Sequence, residues 1–248
     1  MEIGLNSLKT QLAKKKVELV LENKKLIFSF QDKSIVYTLS KTLPVEESDF
    51  PCFRFDHLMN DFNKIAGVVF SKLGLNERIY ARKCNIDSVD NFTKNDFLSK
   101  YHLMGSTQSA YNLGLFYENE LVAIATFSKG RKMDRLHKDI RSFELIRFCC
   151  KHGLTVVGGL SKLVSHFCKQ KSAGDIMTYV NKEFGSETAF INAGFVQANE
   201  HDPHFNMNSN SSLKKGNKRN DYYNSEKQNK EHPNYNFKLL YIPTRLVE

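Results

Sequence analysis

The residues whose spacing holds most chemistry are Val156 to Phe167, VVGGLSKLVSHF. The apolar residues before the glycine pair read as a strand end, and those after it as the first turns of a helix. Gly158 and Gly159 let backbone N–H groups come close to a ligand, Ser161 and Lys162 fall in the first helical turn, and the helix dipole favours negative charge there. That chemistry suits a phosphate. The same residues equally suit a plain strand-to-helix turn with Ser161 as its cap, and the sequence leaves both readings open.

Other positions invite a role in proton transfer or substrate binding. In FLSKYHLMGS, Phe97 to Ser106, a helix ends before Gly105, which places His102 on an exposed loop as a proton acceptor or an ordinary surface histidine. FELIRFCC, Phe143 to Cys150, alternates like a strand and sets Glu144 and Arg147 on opposite faces. Each either anchors its own surface or forms the floor of a cleft. Asn181 closes a strand in IMTYVN, where an amide orients a substrate or holds a turn but cannot act as a general base. No metal centre is expected. The five cysteines, Cys52, Cys84, Cys149, Cys150 and Cys168, lack a CxxC pair, and HDPH at His201 to His204 has no further ligands around it.

The formal charge of +9 points to an acidic partner, with DNA the expected one. Two segments concentrate it: KGRKMDRLHKDIR, with Lys129, Arg131, Lys132 and Arg135, and LKKGNKRNDYYN, with Lys214, Lys215, Lys218 and Arg219 beside Tyr222 and Tyr223. Cations track phosphates while tyrosines stack on bases, although a solvated loop has the same composition. No run is apolar and long enough for a membrane span, and the first residues lack the core of a secretory signal, so a soluble, cytoplasmic protein is expected.

The elements that must position these residues follow from periodicity. Residues 1–76 show short alternating apolar runs, read as two or three antiparallel strands, then a helix from Asp56 to Leu73. This is a small β-rich extension bridged to a main domain at 77–248. There the order is a strand Arg78 to Cys84, a helix Thr93 to Tyr101, and a hairpin of Tyr111 to Tyr117 and Leu121 to Ser128. A strand Phe143 to Cys149, a helix to Gln170, a strand Asp175 to Val180, a short helix Glu187 to Ala193 and a last strand from Gly194 follow. A basic loop occupies about residues 199–234, after which NYNFKLLYIPTRL returns to the sheet edge. The fold class is mixed α/β, with a largely antiparallel sheet flanked by helices.

In their joint order, FLSKYHLMGS, GLFYENELVAIATF, ELIRFC, VVGGLSKL, MTYVN and AFINAGF resemble a domain at the C-terminal end of many bacteriophage homing-type endonucleases. More distantly they are similar to Mom-type phage DNA-modification proteins, whose fold is N-acetyltransferase-like (GNAT). The resemblance covers roughly residues 78–205. It implies a mixed sheet splayed near its centre, with acyl-CoA or a related phosphate-bearing donor at Gly158, Gly159, Ser161 and Lys162. It also implies transfer of an acyl-type group to an exocyclic amine of a flipped-out DNA base. His102 would match the family's loop histidine and take the proton, Ser161 the serine of its turn, and Glu144 and Arg147 its Glu-x-x-Arg strand. Three positions depart from the Mom-type pattern: Asn181 replaces an aspartate, Phe190 a tyrosine, and Leu103 the tyrosine after the histidine. These departures also fit a DNA-binding accessory or inhibitory module without catalysis. A further alternative is an acyl-CoA-dependent acetyltransferase acting on a protein or small molecule.

Overall fold

A computed structural model of the chain describes residues 2–40, 51–133, 136–181, 187–197 and 236–243. The chain starts with helix α1 (Glu2–Ala13), followed by a meander of β1 (Glu18–Glu22), β2 (Lys25–Phe30) and β3 (Lys33–Ser40). Both hairpins are antiparallel, and β4 (Cys52–Arg54) adds to β3 in parallel. Helices α2 (Phe55–Asn60) and α3 (Phe62–Lys72) complete this part. Leu8 and Leu12 of α1 share one apolar cluster with Phe28, Tyr37, Phe53, Leu58, Ile65 and Val69. Tyr37 stacks on Phe53 at 4.0 Å, and burial pushes its hydroxyl up to about 12.

The meander matches the expected strands, but α1 is an addition. Its stripe of Leu5, Leu8 and Leu12 at i, i+3 and i+7 is embedded in lysine-rich sequence. The single helix expected over Asp56 to Leu73 is two, because the chain restarts at Asp61, whose carbonyl takes the N–H groups of Lys64 and Ile65.

Next come β5 (Glu77–Tyr80), a 3-10 turn at Ala81–Lys83, β6 (Asn85–Ser88) and α4 (Asn91–Tyr101). The strand expected over Arg78 to Cys84 is thus broken by that turn. Asp90 caps α4 through its carboxylate, which accepts from the N–H groups of Phe92 and Thr93. Strands β7 (Tyr111–Tyr117), β8 (Glu120–Phe127), β9 (Arg141–Cys150) and β10 (Leu154–Val157) lead to helix α5 (Gly159–Lys171). Then follow β11 (Ala173–Asn181), α6 (Thr188–Ile191), β12 (Val196–Gln197) and β13 (Asn236–Tyr241). No helix among the described residues is long and apolar enough to cross a membrane.

The seven-stranded sheet has the order β12-β13-β11-β9-β8-β7-β6, and only β9 and β11 run parallel. It is the mixed, largely antiparallel sheet expected. β13 does not join the edge, however; it lies between β11 and β12. β10 pairs in parallel with β5 as a separate ribbon.

The parallel pairing of β9 with β11 ends at Glu144 and Met177. Beyond it β9 stays with β8 as far as Cys150, while β11 follows β13 to Asn181. The sheet is splayed at that point. Helix α5 packs on one face through Phe167, which is fully buried and stacks on Phe127 at 3.8 Å, and α4 covers the other face over Ile124 and Cys149. Phe167→Ala should cost about 3–5 kcal/mol of unfolding free energy, read as a lower urea midpoint at unchanged slope.

Candidate functional site

β9, α5 and β11 form a parallel strand–helix–strand unit, so α5 begins at the C-terminal ends of the two strands that part. Its cap is Gly158, with φ +76° and ψ 7°. A side chain would have room, its Cβ meeting nothing nearer than Ala81 at 3.9 Å, but the left-handed backbone favours glycine. Gly159 is buried, where a Cβ would come within 3.2 Å of Leu115 and Val156. The first helical bond is Lys162 N–H to the Gly158 carbonyl at 3.0 Å, so the N–H groups of Gly159, Leu160 and Ser161 precede the helical ladder.

That helix start borders a cleft of about 720 Å³ lined by Tyr80, Ala81, Arg82, Val157, Gly158, Ser161 and Lys162. Among the described residues the lining carries two cations and no carboxylate. Lys162 is a strut rather than the free donor ligand expected: its ammonium donates to the carbonyls of Ala81 at 2.9 Å and Cys84 at 2.5 Å. One of its three N–H groups remains for an anion. Arg82 lies over the Tyr80 ring at 4.8 Å, and both side chains are exposed. Neither was singled out in the sequence, because a continuous strand through Arg78 to Cys84 gave no reason for a turn there.

The second group of candidates sits on the opposite face of the sheet, beside α4. His102 is not the exposed loop base expected. It caps α4, and its Nδ1 accepts the Met104 N–H at 3.1 Å, so the neutral ring carries its proton on Nε2 and has no free lone pair. Part of the ring reaches solvent, but surrounding protein, with the Arg147 and Lys64 charges behind it, pushes its pKa down to about 3. His102 is absent from the cleft lining.

Glu144 and Arg147 share a face, contrary to strict alternation. Leu145 lies opposite Phe127 and Arg147 opposite Thr126, which leaves Ile146 as an extra residue. This bulge returns Arg147 to the side of Glu144. Arg147 donates from Nη1 to the Ile146 carbonyl at 2.9 Å, while its Nε and the Thr126 hydroxyl are buried without partners. The Glu144 carboxylate lies 3.8 Å from Arg131. Asn181 ends β11 opposite Asn236; its side chain lies outside the described residues. Lys129, Arg131 and Lys132 are exposed. Arg135, Lys214, Lys215, Lys218, Arg219, Tyr222 and Tyr223 lie outside the described residues, as does the HDPH segment.

No protein-family model and no curated protein matches the chain. Among solved structures it is similar to a Bacillus subtilis acetyltransferase in complex with CoA, at 15% identity over 65% of this chain and 99% of that one, with a TM-score of 0.40. It is similar to a GNAT family acetyltransferase from Elizabethkingia anophelis with acetyl-CoA bound, at 14% identity, 65% and 99% coverage and a TM-score of 0.39. A Corynebacterium glutamicum protein described as histone acetyltransferase HPA2 and related acetyltransferase gives 11% identity, 65% and 97% coverage and a TM-score of 0.37.

The His102 environment sets a pH dependence. The unfolded chain binds a proton at this side chain as pH falls below its ordinary 6.5, whereas the folded chain resists until about 3. Stability tied to His102 is therefore present above pH 6.5 and lost as pH falls through that window, by about 3 kcal/mol between pH 7 and pH 4. His102→Gln should flatten the fall in urea-unfolding free energy over this range. Equal slopes in both proteins would contradict the assignment.

Proposed function

We propose that the chain is a GNAT-like acyltransferase that holds a pyrophosphate-bearing donor, of the acyl-CoA type, at the start of α5. The observation that carries this reading is the junction itself: a left-handed Gly158 and N–H groups that precede the helical ladder border a cleft whose described lining has two cations and no carboxylate. Gly158, Gly159 and Ser161 would hold the phosphates through backbone N–H groups and a hydroxyl. Arg82 supplies an exposed cation, and Lys162 fixes the facing wall through Ala81 and Cys84.

A bound acyl thioester supplies an electrophilic carbonyl; an acceptor amine attacks it, a C–N bond forms as the C–S bond breaks, and the amine's proton leaves with the thiol. The residues described here assist by position and by fixed dipoles rather than by proton abstraction. Among the described residues the cleft is lined by no carboxylate or imidazole, and His102 has its lone pair engaged. This favours an acceptor amine already uncharged at neutral pH, since an alkyl ammonium near 10.4 needs a base first. An exocyclic amine of a DNA base meets that requirement, and the charge of +9 favours DNA as its carrier. The base would be presented flipped out of the helix. The engaged His102 lone pair also favours a second reading, a DNA-binding GNAT-like module that holds the donor without transferring from it.

Calorimetric titration with acetyl-CoA tests the donor site. Saturable binding is expected, weakened roughly tenfold in Arg82→Ala, whose exposed side chain leaves the fold intact. Absence of binding in the wild-type protein would refute the reading. Nucleoside mass spectrometry on DNA from expressing cells then separates the two forms: a new acylated nucleoside, absent with Gly158→Val, marks a transferase, and unchanged nucleosides with intact DNA binding mark the module.

A further inference from the structure

The half-buried Arg147 has an unusual set of partners. Among the described residues its guanidinium makes one hydrogen bond, to the main-chain carbonyl of its neighbour Ile146, and no ion pair with a carboxylate. Glu144 shares its face but lies toward Arg131. The enclosed Nε and the cross-strand Thr126 hydroxyl are buried and have no hydrogen-bond partner among the described residues. A charge withdrawn this far from solvent is normally paired.

Its position adds a second, independent argument. The last rung between β9 and β11 is at Glu144 and Met177, so Arg147 stands on the stretch of β9 that has lost its parallel neighbour, on the rim of the opening. The bulge at Ile146 aims it toward the α4 face, away from the face that α5 covers. Burial, and after it the charges of Arg147 and Lys64, lower the neighbouring His102, and Lys64 is itself paired with Asp61 at 2.8 Å.

We infer that Arg147 is the anchor of an acceptor subsite that takes one oxyanion, a phosphate or a carboxylate, on the sheet face opposite α5. The inference rests on the acyl-transfer reading for its role and names the acceptor class: a molecule whose nucleophilic amine travels with an anionic group. The oxyanion supplies the counter-charge that the described residues do not, approaching from the part of the side chain that remains at the surface. The Ile146 carbonyl keeps the guanidinium in place before it arrives, so little side-chain ordering remains to be done on binding.

Nuclear magnetic resonance of the wild-type protein tests this directly, since an Nε–H closed off from water exchanges slowly enough to be seen. The resonance is assigned by its disappearance in Arg147→Lys, and the protein is titrated separately with inorganic phosphate and with acetate. A saturable shift is expected. A stronger response to phosphate assigns a phosphate-bearing acceptor such as a nucleotide, and a stronger response to acetate a carboxylate-bearing one. Arg147→Gln should weaken the preferred anion at least tenfold while leaving acetyl-CoA affinity within about twofold. An Arg147 resonance unmoved by either anion overturns the subsite, as does equal loss of anion and acetyl-CoA binding in Arg147→Gln. Failure of acetyl-CoA to bind the wild-type protein is a separate result, which removes the donor reading and with it the acceptor role.

Discussion

Two parallel strands can part only if each finds another partner for the backbone groups it releases, and that constraint organises the molecule. β9 keeps β8 beyond Glu144, and β11 keeps β13 beyond Met177, so both ladders continue while the pair between them stops. Thr178 ties the last contact by donating its hydroxyl to the Leu145 carbonyl at 2.9 Å. The pairing of β13 with β11 is what allows the splay, because it gives β11 a neighbour where β9 leaves it.

Lys162 braces the wall of the cleft at the start of α5. Its ammonium reaches from the first turn of α5 to the carbonyls of the 3-10 turn that follows β5, while β10 pairs with β5 just behind. The left-handed Gly158 reverses the chain between β10 and α5 within one residue. This wall of the cleft is thus assembled from two chain segments about eighty residues apart, held by the two hydrogen bonds of one ammonium and by the pairing of β10 with β5. On the other face, the Ile146 bulge does comparable work by bringing Glu144 and Arg147 to one side.

Much of this was legible in the sequence because it is local. The glycine pair before an amphipathic helix, the Tyr111–Ser128 hairpin and the strand run through Arg147 each carry their signal within one short stretch of neighbouring residues. What was not legible depends on distant partners. Alternation alone places Glu144 and Arg147 on opposite faces, since only the register against β8 reveals the bulge. His102 reads as exposed because nothing nearby in sequence announces the Met104 N–H, Arg147 and Lys64 around it. Lys162 reads as a phosphate ligand because its carbonyl partners lie far upstream. Arg82 escaped notice for the same reason, since the turn that exposes it is held from α5.

The N–H groups at the start of α5, proposed to receive a pyrophosphate, can be followed by amide hydrogen exchange resolved to single residues, with and without acetyl-CoA. Slowed exchange is expected at Gly159, Leu160 and Ser161 and on the facing Ala81–Arg82 segment, with little change along α1 to α3. Protection confined elsewhere, or none at a concentration that saturates binding, would overturn the proposed site.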